Sequence, residues 1–174
     1  MKSLNKEIKR QWEQFAAIID NFAESIYISD PDTYEILLIN KALKEALGKD
    51  PVGGLCYEEF QNRRSPCPFC TNDIIKRNSD PYVWEYHNPL LNKDLQLTDQ
   101  LIQWPDGRKV RYEIAIDITE WKQLEKELRD TNEIFDKIFK TTHLLIAYMD
   151  RDFNFIQVNR AYAEADGRDE SQFP

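Results

Sequence analysis

Residues 15–50 read FAAIIDNFAESIYISDPDTYEILLINKALKEALGKD, and residues 135–169 read FDKIFKTTHLLIAYMDRDFNFIQVNRAYAEADGRD. The two stretches align with one single-residue gap, at an offset of 120 and then 119. Phe15, Ile18, Ile26, Asp30, Asn40, Ala42, Glu45, Ala46, Gly48 and Asp50 recur as Phe135, Ile138, Ile146, Asp150, Asn159, Ala161, Glu164, Ala165, Gly167 and Asp169. Each copy predicts a helix, a short alternating strand (25–30 and 145–150), a turn, a second strand (36–40 and 155–159) and a short helix closed by a glycine. Solenoid units recur every roughly 20–50 residues, so a period near 120 marks tandem domains.

A chain of 174 residues suffices for one ordinary domain and is short for two. The expectation is a complete domain over 23–118, preceded by a helix over 1–22 and followed by a linking, signalling helix over 119–141. Residues 142–174 then form the truncated start of a second domain, with too little sheet to close a core alone. In the complete copy, Gly53, Gly54, Pro66 and Pro68 break residues 51–77 into short helical pieces. Tyr82, Trp84 and Tyr86 then alternate with Val83, Glu85 and His87, which predicts a strand with an aromatic, buried face. Two more strands follow, 95–104 and 108–118, joined by the turn Pro105, Asp106, Gly107. The sum is an α+β fold: a five-stranded antiparallel sheet with short helices across one face, flanked by N-terminal and C-terminal coiled-coil-like helices.

This order, ending in DITEWKQLEKEL (117–128), resembles the PAS domains of bacterial sensor histidine kinases and diguanylate cyclases, whose hallmark is the Asp117, Ile118, Thr119, Glu120 end of the last strand. A cysteine-containing subgroup of PAS sensors is similar at Cys56-Tyr57, at Pro66-Cys67-Pro68-Phe69-Cys70, at Trp84-Glu85, at 104–108 and at 113–119. The resemblance covers about residues 12–128, and its first part recurs from Glu133. It implies a sensory module of a signal-transduction protein, with a small ligand between the helices and the sheet, homodimerisation through helices, and an effector domain in the parent chain. The candidate lining is Ile26, Ile28, Leu38, Tyr57, Phe60, Phe69, Trp84, Tyr86, Leu101, Tyr112 and Ile114, with Asp99 a polar intruder on the Leu95, Leu97, Leu101 face. Aromatics at strand spacing also simply fill cores, and the alternative is a dimerisation scaffold that binds nothing.

Transmission is assigned to Asp117, Thr119, Glu120, Trp121, Leu124 and Leu128. Either Asp117 with Glu120 at capping-box spacing, or the Thr119 hydroxyl, can start the helix where the last strand ends. Beyond it Trp121, Leu124, Leu128, Thr131, Phe135 and Ile138 alternate at three and four, a seam on which two copies can pair. Leu4, Ile8, Trp12 or Gln11, Phe15, Ile18 and Phe22 repeat the theme at the N-terminus.

Cys56, Cys67 and Cys70 are an odd number with one close pair, which suits a reducing compartment better than a disulfide scaffold. Three readings stay open: a zinc or other metal site, a redox-responsive thiol pair, and packing without a cofactor. His87 is the nearest candidate for a fourth ligand, but alternation puts it on the face opposite Trp84 and Tyr86. Residues 67–70 also resemble the active-site tetrapeptide of glutaredoxins, yet two strands and two helices precede them. The ligand is otherwise unidentified, with no flavin or haem signature.

A net charge of −8 argues against nucleic acid and anionic lipid, which call for clustered Lys and Arg. No stretch approaches the ~20 apolar residues of a membrane span, and the N-terminus lacks a signal-peptide core, so the reading is cytoplasmic with no membrane contact in this segment. No catalytic constellation or phosphate-binding glycine loop is present among only five glycines, so enzyme activity is assigned to the parent chain, as a histidine kinase or diguanylate cyclase.

Overall fold

The computed structural model describes residues 2–173; of these, the side chains of residues 2–6, 8, 9, 12 and 170 lie outside the description, and with them the expectations for Leu4, Ile8 and Trp12. The chain forms two compact units, 1–120 and 121–174. In the first, α1 (Lys2–Asp20) leads to β1 (Ser25–Ser29), β2 (Ile36–Ile39) and α2 (Lys41–Leu47). Two short helices, α3 (Cys56–Glu59) and α4 (Asn72–Arg77), precede β3 (Tyr82–Asn88), β4 (Lys93–Gln103) and β5 (Lys109–Asp117). The five strands form one antiparallel sheet in the order β2-β1-β5-β4-β3. The last strand thus inserts at the centre, which closes the sheet only when the chain reaches residue 117.

Local chemistry explains the joints. The Asp30 carboxylate accepts the backbone N–H groups of Asp32 and Thr33 at 2.9 and 3.0 Å and so turns β1 back into β2. Asn40 caps α2 by accepting the Leu43 N–H at 3.1 Å, and the same oxygen accepts the Ile26 N–H at 3.0 Å while its amide donates to the Glu24 carbonyl at 2.8 Å. One buried amide therefore fixes a helix start and a strand entry together. Gly48 ends α2 at φ 67°, a left-handed conformation that a side chain would strain. Residues 53–56 then run beside β2, with the Ile36 N–H donating to the Gly54 carbonyl at 2.8 Å and the Cys56 N–H to the Tyr34 carbonyl at 2.9 Å. This seats Cys56 on Tyr27, Ile36 and Ile39 in the core.

In the second unit, which takes most of α5 (Thr119–Thr141), β6 (Ala147–Met149) pairs with β7 (Phe155–Val158), and α6 (Arg160–Asp166) follows. Val158, Ala163 and Phe173 form its small core with Phe155 and Tyr162.

The register divides the main sheet into two faces. Tyr27 lies opposite Glu113, and Leu97 lies between Trp84 and Ala115, so Tyr27, Trp84, Tyr86, Leu95, Leu97, Asp99, Arg111, Glu113 and Ala115 share the face toward α3 and α4. Ile26 pairs with Ile114, and Ile28 with Leu38 and Tyr112, on the other face. Five of the residues expected to line a pocket, Ile26, Ile28, Leu38, Tyr112 and Ile114, therefore point away from the helices. The cause is physical: hydrophobicity marks both faces of β1 and β5 as buried, and the more apolar one is not the one that faces the helices.

Candidate functional site

Between the helices and the sheet lies a cavity of about 540 Å³. Its floor comes from β1 (Ser25, Tyr27), β3 (Trp84, Tyr86), β4 (Leu95, Leu97) and β5 (Arg111, Glu113, Ala115). Its roof comes from α2, α3 and the segment between α3 and α4, including Leu43, Leu47, Cys56, Tyr57, Phe60, Phe69 and Cys70. Tyr57, Phe60, Phe69, Trp84 and Tyr86 thus lie where the sequence reading put them. Leu101 pairs with Arg111 on the same sheet face but falls outside the cavity.

One wall is aromatic. Phe69 lies 4.6 Å from Tyr86 and 6.1 Å from Trp84, and those two rings are 5.8 Å apart. Tyr86 is held by its hydroxyl, which donates to Gln61 Oε1 at 2.8 Å.

Adjoining the aromatic wall through Trp84 is a buried charge network that the sequence reading missed. Asp99, with no exposed surface, lies behind the wall as its hub. Its Oδ2 accepts from Thr71 Oγ1 at 2.6 Å and Trp84 Nε1 at 2.7 Å, and its Oδ1 accepts from Arg111 Nε at 3.1 Å and Nη2 at 2.8 Å. Arg111 Nη1 donates to Asn72 Oδ1 at 3.3 Å and faces Cys70 Sγ at 3.8 Å, while Nη2 also donates to Glu113. Tyr27 donates its hydroxyl to the same Glu113 oxygen at 3.0 Å. Burial pushes Asp99 up, but the Arg111 charge and the hydrogen bonds it accepts outweigh this, and its carboxyl lies below the usual range. Glu113 goes the other way: burial, and then the Asp99 charge, lift it against Arg111 to about 8. Two carboxyls beside one guanidinium are thus driven apart, one anionic and one holding its proton near neutrality. Arg111 and Glu113 escaped the sequence reading because alternating charged positions on a strand look like a solvated face. The available signal was Asp99, since a lone carboxylate on an apolar strand face requires a buried cation.

The cysteines border the same cavity but do not assemble. Among the described residues no group of three His, Cys, Asp or Glu side chains is placed to hold a metal ion. Cys56, Cys67 and Cys70 form no such group, and the reason lies in where they sit. Cys56 is buried in the apolar cluster, which pushes its thiol to about 12. Burial also raises Cys67, which lies ahead of α4, a helix that begins only at Asn72. His87 is exposed on the far sheet face beside Asp94 at 3.3 Å.

The transmission residues lie where β5 leaves the sheet. Asp117 Oδ1 accepts the Thr119 N–H at 3.0 Å and its hydroxyl at 2.6 Å, while its Oδ2 meets Lys93 Nζ at 2.7 Å. These contacts hold the Asp117 carboxyl down to about 2. Of the two caps considered, Asp117 makes the contact, and the Thr119 hydroxyl instead accepts the Asp94 N–H at 3.0 Å, tying the helix start to β4. Trp121, Leu124, Leu128, Phe135 and Ile138 are all 57–63% exposed along α5, and Thr131 is exposed with them. Phe15, Ile18 and Phe22 are exposed at the N-terminal end.

A five-stranded antiparallel sheet with its last strand central, covered on one face by short helices that enclose a cavity, defines a ligand-pocket type of α+β domain. Residues 13–80 match the family model described as the PAS domain, and the first unit has the PAS fold. A solved RNA-binding light-oxygen-voltage receptor is similar at 15% identity and a TM-score of 0.53, over 70% of this chain and 37% of the receptor. The PAS domain of an HTR-like protein from Haloarcula marismortui is similar at 16% identity and 0.48, over 68% of this chain and 100% of its own. The PAS domain of nitrogen regulation protein NR(II) from Vibrio parahaemolyticus follows at 14% and 0.48, over 59% and 96%. At 15% identity the likeness to the light-oxygen-voltage receptor speaks for the fold alone. No curated protein matches the chain. Among the described residues no helix is long and apolar enough to cross a membrane.

Proposed function

We propose that the chain is the sensory segment of a cytoplasmic signalling protein, in which a small molecule in the cavity of the first PAS domain changes the strand that feeds α5. One observation carries this reading. Arg111, Glu113 and Ala115 line the cavity, and Asp117, on the same strand and also at the cavity edge, caps the outgoing helix. A shift of β5 by a fraction of an ångström is then a shift of the helix start. The apolar stripe on α5 is the surface through which two copies pair, and a kinase or cyclase effector in the parent chain reads the pairing. Residues 142–174 are the opening of a second PAS domain.

The test is small-molecule retention. Wild type and Ala115→Trp, which fills the cavity, are incubated with a low-molecular-weight cell extract, desalted, denatured and compared by mass spectrometry. The expected result is a compound released by wild type and absent from a variant that still melts cooperatively. Equal release from both, or none from either, would favour the ligand-free scaffold.

A second reading, a thiol redox sensor, draws on the contact between Arg111 and Cys70, since a guanidinium stabilises a thiolate. Peroxide-dependent formation of a Cys67 to Cys70 disulfide, with two thiols lost per chain in a titration, would support it. Retention of all three free thiols under peroxide would end it.

A further inference from the structure

The charge pattern of the cavity selects among ligand classes, and the selection rests on the ligand-sensing reading above. We propose that the cavity takes a small organic cation, a protonated amine on an aromatic or alkyl body, with its ammonium group at Glu113 and its body against Phe69, Trp84 and Tyr86.

The first argument is the state of Arg111. Its Nε and Nη2 are committed to Asp99 and Glu113, and its Nη1 faces Asn72 and Cys70. An anionic ligand would have to evict a built-in carboxylate and then sit beside Asp99. The second is the balance that remains after internal pairing. Lys93 is bound to Asp117, and Glu59 is bound to Lys49. Asp99 alone neutralises Arg111, so the surplus charges are Glu24 on the lining and the Glu113 carboxylate that forms inside the cavity once its proton is lost. Glu24 has no ion-pair partner among the described residues. The third is the geometry of Glu113, which lines the cavity while Tyr27 and Arg111 both donate to its Oε2 and the carboxyl also bonds Asp99, a contact that holds its proton until a cation replaces it. The fourth is the aromatic wall, whose clustered rings offer a packing surface to an aromatic or alkyl body.

The state of Glu113 makes binding depend on pH. The groups around it are Tyr27 from β1, Asp99 from β4, Arg111 on its own strand, Cys56 from α3 and Cys67 from the following segment. With its carboxyl lifted to about 8, Glu113 is protonated at pH 6, so an arriving ammonium ion must displace that proton into solvent. Affinity should therefore climb about tenfold per pH unit between pH 6 and 7 and level off above pH 8.

Calorimetric titration of the full chain with 2-phenylethylammonium, 2-phenylethanol and 3-phenylpropionate, at pH 6, 7 and 8, tests this. The expected result is that the cation binds at least tenfold more tightly than the alcohol at pH 8, gains with pH as stated, and binds more tightly than the anion throughout. In Glu113→Gln both the preference and the pH rise should vanish. The three-probe comparison on wild type decides the matter even where that variant folds poorly. Tighter binding of the alcohol or the anion would overturn the cationic assignment, and so would no binding by any probe. If retention is still blocked by Ala115→Trp, the sensing role survives that failure; if retention does not respond to Ala115→Trp, both fall.

Discussion

The two copies of the repeat use the same local code and reach different ends. Asn159 repeats the bonds of Asn40: its oxygen accepts the N–H groups of Tyr162 at 3.1 Å and Ile146 at 3.0 Å, and its amide donates to the Leu144 carbonyl at 2.8 Å. Asp150 turns the chain as Asp30 does, accepting from Asp152 and Asn154. Gly167 ends its helix at φ 79°. Even the strand irregularity recurs, between Ile28 and Ser29 in one copy and Tyr148 and Met149 in the other. Yet Tyr27 and Ile28 are buried, and their counterparts in β6, Ala147 and Tyr148, are not, with Tyr148 63% exposed. The lesson is that caps and turns are written in some 35 residues, whereas burial is supplied by residues 51–117 and above all by β5.

The largest effect should come from the buried network of Asp99, Arg111 and Glu113 in the first copy. Arg111→Met leaves Asp99 as an uncompensated buried anion and should cost about 3–5 kcal/mol in urea unfolding followed by tryptophan fluorescence. A loss below ~1 kcal/mol would mean that the network does not hold the sheet face to the helices.

Next in size is the paired cap deletion. Asn40→Ala removes a cap and strands two further buried bonds, which should cost the first unit about 2–3 kcal/mol. Asn159→Ala should leave the main unfolding transition of the first unit within ~0.5 kcal/mol of wild type. Equal effects on that transition would show that the two units unfold as one.

A third difference is acid–base. The Glu113 carboxyl is raised in the folded state, so between the ordinary glutamate value near ~4.3 and about 8 the unfolded chain has lost a proton that the folded chain keeps. Stability from this group is therefore full below that window and falls as pH rises through it. Melting temperature should drop from pH 5 to pH 8 in wild type, and Glu113→Gln should flatten that slope. Asp99, lowered on folding, works in the opposite sense, but only at and below the ordinary aspartate range.

The smallest effect on the fold is expected in α5. Leu124→Asp with Leu128→Asp should move the melting of the first unit by less than ~0.5 kcal/mol equivalent, because both side chains are exposed. The same pair should convert a dimer at tens of micromolar to monomer in sedimentation velocity. A wild type that is already monomeric there would remove the pairing from the account.

How much of this was legible in the sequence follows from the same comparison. The repeat, the strand order and the turn residues could be read because Asp30, Asn40 and Gly48 act on neighbours in sequence. Five of the cavity's aromatic residues could be read because strand alternation and a helical segment between prolines place them. The faces of β1 and β5 could not, since alternation says which residues share a face but not which face meets the helices. Arg111 and Glu113 needed the pairing of β4 with β5 to become partners of Asp99, and that register is not a local property. The spacing of the cysteines left a metal site, a redox pair and plain packing open, because it does not show that Cys56 sits in the apolar core.

Amide hydrogen exchange on the intact chain tests the central claim most directly, by comparing the equivalent residues 25–39 and 145–158. If residues 51–117 are what turn the repeat into a sealed sensing domain, the amides of Ile26 and Ile28 should exchange at least a hundredfold more slowly than those of Ile146 and Tyr148. Equal protection in the two copies would show that the repeat builds a stable core without the central strand, and would contradict the account.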